Sequence, residues 1–199
     1  MKQLKFVFKM FFDMALAGIC ISLGAYAYLQ NPGPIGAVLF SIGLIAVLYY
    51  KFLLYTGALH RVKNPLECVY LLIILICNIW GCWFASLLVH DPNTISQCQA
   101  IVAQRAGFDF WEAVARGAGC GFIITLAVQS RKRFKCALLI GIPAFILAGF
   151  THSVADAFYY CVGWKAISWS AIWTYCGTVI GNFIGGSIYK LGTVEMNKQ

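Results

Sequence analysis

An all-α membrane protein of six transmembrane helices is the fold class the sequence predicts, built as an inverted three-plus-three repeat with helices two and five broken. Three observations carry this. Of 199 residues, 61% are hydrophobic and only 11% charged, with a mean hydropathy of +0.77. A soluble domain carries roughly 25% charged residues, and a span needs roughly 20 apolar ones, which leaves room for about six spans with short loops. The basic residues then alternate. Lys2, Lys5 and Lys9 precede the first apolar run, Arg61 and Lys63 follow the second, Arg131, Lys132, Arg133 and Lys135 follow the fourth, and Lys190 and Lys198 follow the last. The intervening loops hold only Arg105 and Lys165. This is the positive-inside pattern, with both termini cytoplasmic and an even number of spans. The net charge of +8 is thereby assigned to the lipid bilayer surface rather than to nucleic acid. Third, polar interruptions and Asn-containing motifs recur in corresponding places of the two halves.

Taken in order, span one covers Phe11 to Leu29, with Ala17, Gly18, Ser22, Gly24 and Ala25 as a small-residue face for close helix contact. Its Lys-rich start and Ala25-Tyr26-Ala27 resemble a signal peptide. Removal would leave an odd number of spans, so the segment is expected to stay. Asn31-Pro32-Gly33-Pro34 is a tight outer turn. Span two runs from Ile35 towards His60 and is interrupted by polar residues around Tyr55-Thr56-Gly57, as expected of irregular backbone lining a cavity. Lys51 lies deep in this span and either snorkels to the inner surface or pairs with an acid. Asn64-Pro65 closes the inner turn.

Span three, Cys68 to Val89, contains Asn78-Ile79-Trp80-Gly81, and the polar segment from His90 to Phe110 is expected to be an outer loop. Span four, Trp111 to Gln129, carries Arg116 one turn after Glu112, a pairing that softens the burial of the charge. Span five runs from Cys136 through Ala148-Gly149-Phe150-Thr151-His152-Ser153-Val154-Ala155-Asp156 to Trp164. Such a polar cluster inside a span is a functional site by default. Span six, Ser170 to Tyr189, contains Gly181-Asn182-Phe183-Ile184-Gly185-Gly186. The Asn motifs of spans three and six match, as do the breaks around Thr56 and His152. The chain therefore reads as a single transmembrane domain over 1–199, with repeats over approximately 10–90 and 110–190. The nine cysteines form no CxxC pair and no cluster with histidine, so neither a metal nor another cofactor is expected. A disulfide between Cys98 and Cys161 stays open.

These motifs resemble those of the formate/nitrite transporter family over nearly the whole chain. Gly149 to Asp156 is similar to the family's Gly-Phe-Glu-His-Ser-Val-Ala-Asn signature. Leu54-Tyr55-Thr56-Gly57 resembles its Leu-Phe-Thr-Gly loop, Gly181 to Gly186 its Gly-Asn-x-x-Gly-Gly, and Leu126-Ala127-Val128 the end of its span-four signature. The resemblance implies an aquaporin-like protomer in a homopentamer, each protomer with its own pore, in the inner membrane of a prokaryote. It implies an outer constriction of Phe40, Leu44 and Phe145, an inner one of Leu54, Tyr55 and Ile124, and a central His152 facing Thr56. Thr151 and Asp156 stand where the family has glutamate and asparagine. Gly121 replaces an asparagine, Leu53 a glutamate, and Arg105 an outer-vestibule lysine. The implied function is passage of a small monovalent weak-acid anion of the formate, nitrite or hydrosulfide class. It is proton-coupled, or the neutral acid passes the histidine. Two other readings are weighed. The Asn31-Pro32 and Asn64-Pro65 pairs superficially suggest an aquaporin-like pore for small neutral solutes, but neither lies in a polar break. A membrane enzyme using His152 and Asp156 as an acid–base pair would lack any accompanying nucleophile or metal set.

Overall fold

The computed structural model describes residues 2–59 and 64–193. The sequence readings that fall on His60, Arg61, Lys63 and Lys198 lie outside the described residues. All regular structure among the described residues is helical: α1 (Lys2–Gln30), α2 (Pro34–Tyr49), α3 (Tyr55–Ala58), α4 (Pro65–Ser86), α5 (Pro92–Ala106), α6 (Phe110–Ser130), α7 (Ala137–Leu147), α8 (Ser153–Val162) and α9 (Trp169–Thr193), with a 3₁₀ turn at Trp164–Ala166. Within α1, α4 and α6, Val7–Gln30, Pro65–Ser86 and Phe110–Ser130 are long and apolar enough to cross a membrane. At 1.5 Å per residue, α2 is about 24 Å long and α7 about 17 Å, so neither reaches across a roughly 30 Å hydrocarbon layer alone.

Packing follows the same plan in both halves. Helix α1 lies against α2 and α4, and α6 against α7 and α9, while α2–α7 and α4–α8 contacts join the halves. Glycines permit the closest approaches. A methyl added to Gly18 would overlap the Asn78 carbonyl, and one added to Gly121 would overlap that of Asn182. Gly121→Ala should therefore prise α6 from α9 at a cost of about 1–3 kcal/mol. The thermal unfolding midpoint in detergent reads this, and an unchanged midpoint would mean that the contact is not rigid.

The segment expected to be an outer loop is instead mostly helix. Asp91 caps α5 by accepting from the amides of Asn93 and Thr94, and Pro92 occupies the first turn, where its missing N–H costs nothing. The Thr94 hydroxyl and amide, in that order, hold the Asp91 carboxyl below its usual range. Thr94, Cys98 and Val102 form a buried face, and Gln30 at the end of α1 donates to Thr94 Oγ1 at 2.9 Å. The polar average of this helix hides a one-sided apolar stripe. Cys98 and Cys161 are not bonded, and all nine cysteines are free.

Candidate functional site

The chain leaves helical geometry at two related places. At the end of α2, Phe52 N–H reaches back to the Val47 carbonyl at 2.9 Å, over a left-handed Lys51 with φ 61°. At the end of α7, Phe150 N–H reaches the Phe145 carbonyl at 3.0 Å, over a left-handed Gly149 with φ 71°. Both are Schellman turns, which satisfy carbonyls that a helix end would otherwise leave bare. Each short helix that follows is held by a buried asparagine. Asn78 Oδ1 accepts from Tyr55 N–H at 2.9 Å, and its Nδ2 donates to the carbonyls of Met14 and Leu53. Asn182 Oδ1 accepts from Ser153 N–H at 2.9 Å, and its Nδ2 donates to the carbonyls of Gly117 and Thr151. Irregular backbone away from water needs such partners.

This bonding pattern pairs Leu53 with Thr151, Leu54 with His152 and Tyr55 with Ser153. The sequence comparison of the halves matched Thr56 to His152 instead. Thr56 is not the counterpart of His152 but its contact, with Thr56 Oγ1 2.9 Å from His152 Nε2. The imidazole also caps α8, since Nδ1 accepts from Ala155 N–H at 2.9 Å. An accepting Nδ1 carries no hydrogen, which assigns the ring proton to Nε2 and makes Nε2–H the donor to Thr56. The ring stacks on Phe145 with centroids 5.9 Å apart, and Phe145 meets Phe40 edge-on at 6.1 Å.

Two cavities flank this centre. One, of about 240 Å³, lies on the α5 side and is lined by Tyr28, Phe40, Gln104, Arg105, Arg116, Phe145, His152 and Asp156, among others. Arg105 Nε sits 3.5 Å from Asp156 Oδ2 as an ion pair, with side chains 15% and 3% exposed. Arg105 Nε itself makes no hydrogen bond. Arg116 pairs with Glu112 at 2.8 Å as expected, but it also donates to the Gly149 carbonyl and lies over the Phe108 ring, 4.6 Å from its centroid. It therefore ties α6 to the α7–α8 turn. The second cavity, of about 360 Å³, lies on the Arg131 side and is lined by Leu44, Lys51, Leu53, Leu54, Gly57 and Arg131, among others.

Against known families, the formate/nitrite transporter model matches over residues 2–195. The chain belongs to the formate/nitrite transporter family. It is an integral membrane protein of a family of transporters rather than enzymes. Among solved structures it is similar to a "Pentameric formate channel with formate bound", at 17% identity and TM-score 0.82, with 98% of each chain covered. It is also similar to an "FNT family ion channel", at 19% identity and TM-score 0.85, covering 95% of this chain and 90% of that one. These likenesses show the fold. No curated protein matches the chain by sequence.

Placed on this formate/nitrite transporter fold, the residues singled out in the sequence divide into three groups. Phe40, Phe145, His152, Arg105 and Asp156 meet at the first cavity. Leu44, expected in the outer ring with Phe40 and Phe145, lines the second cavity with Leu54. Tyr55 and Ile124 are buried but appear on neither wall, and the Tyr55 hydroxyl donates to the Val179 carbonyl at 3.1 Å. Thr151 likewise faces α9, accepting from the Thr178 hydroxyl at 3.1 Å, and Gly121 packs on Asn182. Thr151 and Gly121, expected in the vestibule or its polar network, thus pack on α9 and are not on the wall of the first cavity. Among the residues missed on this wall, Tyr28 comes from α1, and Ile101 and Gln104 from the helix that was read as a loop. A helical reading of His90 to Phe110 would have put Ile101, Gln104 and Arg105 on one face, the face that lines this wall.

Proposed function

We propose that this protein is a transmembrane channel for small monovalent weak-acid anions of the formate, nitrite or hydrosulfide class. The observation that carries the reading is His152, buried between the Phe40–Phe145 ring pair and Thr56, with a cavity on either side. The family, and the printed title of the similar pentameric formate channel, supply the substrate class and favour a homopentamer. Six spans are proposed: α1, α2 with α3, α4, α6, α7 with α8, and α9. The matched turns and asparagine caps support an inverted repeat with two interrupted helices in a single domain. The alternation of basic residues supports cytoplasmic termini, which would put the Arg131 cavity at the inner mouth; a prokaryotic inner membrane is proposed with it.

A bare anion crossing such apolar rings would lose hydration worth several kcal/mol. The conjugate acid would not, so passage is proposed to carry a proton with the anion. Phe40 and Phe145 form the outer apolar ring, Leu44 and Leu54 the inner one, with Tyr55 and Ile124 backing it. His152 and Thr56 present the polar groups between them. The test is flux into proteoliposomes across a panel of formate, nitrite, hydrosulfide, lactate and acetate. Transport of at least one of these with co-movement of protons is expected, together with a pentameric mass in detergent. Water or glycerol flux without any anion or acid flux would replace this reading with a neutral-solute pore.

A further inference from the structure

A third cavity lies off the pore and, at about 750 Å³, is larger than the two that flank His152. It is a cleft between α4, α8 and α9, bounded at one end by α5 and the turn after α8. Gly163 lets that turn close on α5, because a Cβ there would overlap the backbone of Cys98 and Gln99. Along α4 the cleft runs from Ile79 to Ser86, about 10 Å at 1.5 Å per residue. Its hydroxyls are already spent. Tyr175 donates to the Ser153 carbonyl at 3.1 Å, Tyr160 to that of Ala171 at 3.0 Å, and Ser86 to that of Trp83 at 2.6 Å. Lys165 is the one charge on the lining, exposed and 5.8 Å from the centroid of the Trp164 ring. No carboxylate lines the cleft, and Lys165 makes no ion pair among the described residues.

The placement of these groups points to the occupant. Helix α4 is long and apolar enough to cross a membrane, so its end at Ser86 lies at the membrane surface. Trp83, Trp164 and Lys165 are the residue types that suit that depth. An apolar floor below a cation and two indoles fits an acyl chain joined to a phosphate. A second copy of this chain would bring the same excess of positive charge, +8, to the cation. The cleft also shares a wall with the pore. On α8, His152, Ala155, Asp156 and Tyr159 line the cavity beside the pore centre, whereas Ala157, Tyr160 and Cys161 line the cleft. Tyr175, on the cleft wall, holds the carbonyl of the residue next to His152.

We infer that this cleft is a phospholipid site, with an acyl chain along Ile79 and Trp83 and the phosphate on Lys165, whose occupant braces α8 from the side away from the pore. The test titrates the full chain in detergent with phosphatidylglycerol and, separately, with a diacylglycerol of the same acyl chains. Bound lipid is read by native mass spectrometry. Lys165→Gln should weaken phosphatidylglycerol binding about three- to tenfold at low salt, the effect of one lysine near a lipid surface. Diacylglycerol binding should not change, and Lys165→Arg should bind as the parent does. Ile79→Trp fills the cleft and should lose both lipids. Saturating phosphatidylglycerol should also slow amide exchange through 153–162 in the parent and not in Ile79→Trp. Lys165 is exposed, so its variants keep the test decisive even where the filled variant fails to fold. Equal phosphatidylglycerol affinity in the parent and Lys165→Gln, or binding that leaves α8 exchange unchanged, would overturn the site. A parent that retains no lipid, with an oligomer mass that shifts in Ile79→Trp, would overturn it too and assign the cleft to a second copy. None of these outcomes depends on what the pore carries.

Discussion

Arg105→Met is expected to lower stability by about 3–5 kcal/mol, because it leaves the Asp156 carboxylate buried without its cation. Asp156 is 2% exposed, and the only ion pair it makes among the described residues is with Arg105. Replacing the acid alone, as in Asp156→Leu, strands the guanidinium in turn. The double variant Arg105→Met with Asp156→Leu should recover most of the loss, since two apolar groups of similar bulk remove both unpaired charges together. Thermal midpoints of the four proteins in one detergent form the cycle. Additive losses would mean that the 3.5 Å pair contributes no coupling. The pair also joins α5 to α8, so the Arg105 variant should expose the α5 backbone to amide exchange earlier than the parent.

This pair shows where sequence reading stops. Arg105 and Asp156 were each singled out in the sequence, but their contact was not legible, because the element that carries Arg105 was read as loop. Helix α5 has a polar average, and its signal lies in the Asp91-Pro92 cap and the stripe Thr94, Cys98, Val102. A periodicity of one buried residue per turn within a polar segment is easily taken for a solvated loop. The long apolar helices α1, α4 and α6 were legible because a bilayer imposes length and apolarity on such segments. So was the polar centre, because His152 within an apolar run demands an explanation. The pairing of the halves was legible only to within a turn. Polar content matched Thr56 with His152, whereas the asparagine caps match Leu54 with His152. The chemistry of Lys51 depends on a left-handed φ, which a residue's identity does not announce outside glycine. Of its two readings, no acid partner is seen among the described residues, and the side chain is an exposed lysine on a cavity wall.

His152→Phe and His152→Asn are expected to part in stability and to agree in transport. Phenylalanine keeps the bulk against Phe145 but removes both nitrogens. It takes the cap from α8, at about 0.5–2 kcal/mol, and leaves the buried Thr56 hydroxyl unpartnered, at about 1–3 kcal/mol. Asparagine is among the best N-caps and retains donors for Thr56, so its midpoint should stay near that of the parent. Neither residue can take up a proton as an imidazole can. If the ring carries charge during passage, both variants lose most weak-acid flux and its stimulation by outside acid. The geometry adds a second readout. A cationic ring needs a hydrogen on Nδ1, where Ala155 N–H now donates at 2.9 Å. Charging His152 must therefore break the cap, and the first turn of α8 should show faster amide exchange in acid in the parent and not in His152→Asn. Stopped-flow uptake across outer pH, paired with exchange at Ala155, decides the point. Parent-like flux and pH response in His152→Asn would sink the protonation role. The ring would then serve only as a fixed Nε2–H donor between two apolar rings, with the proton travelling on the acid itself.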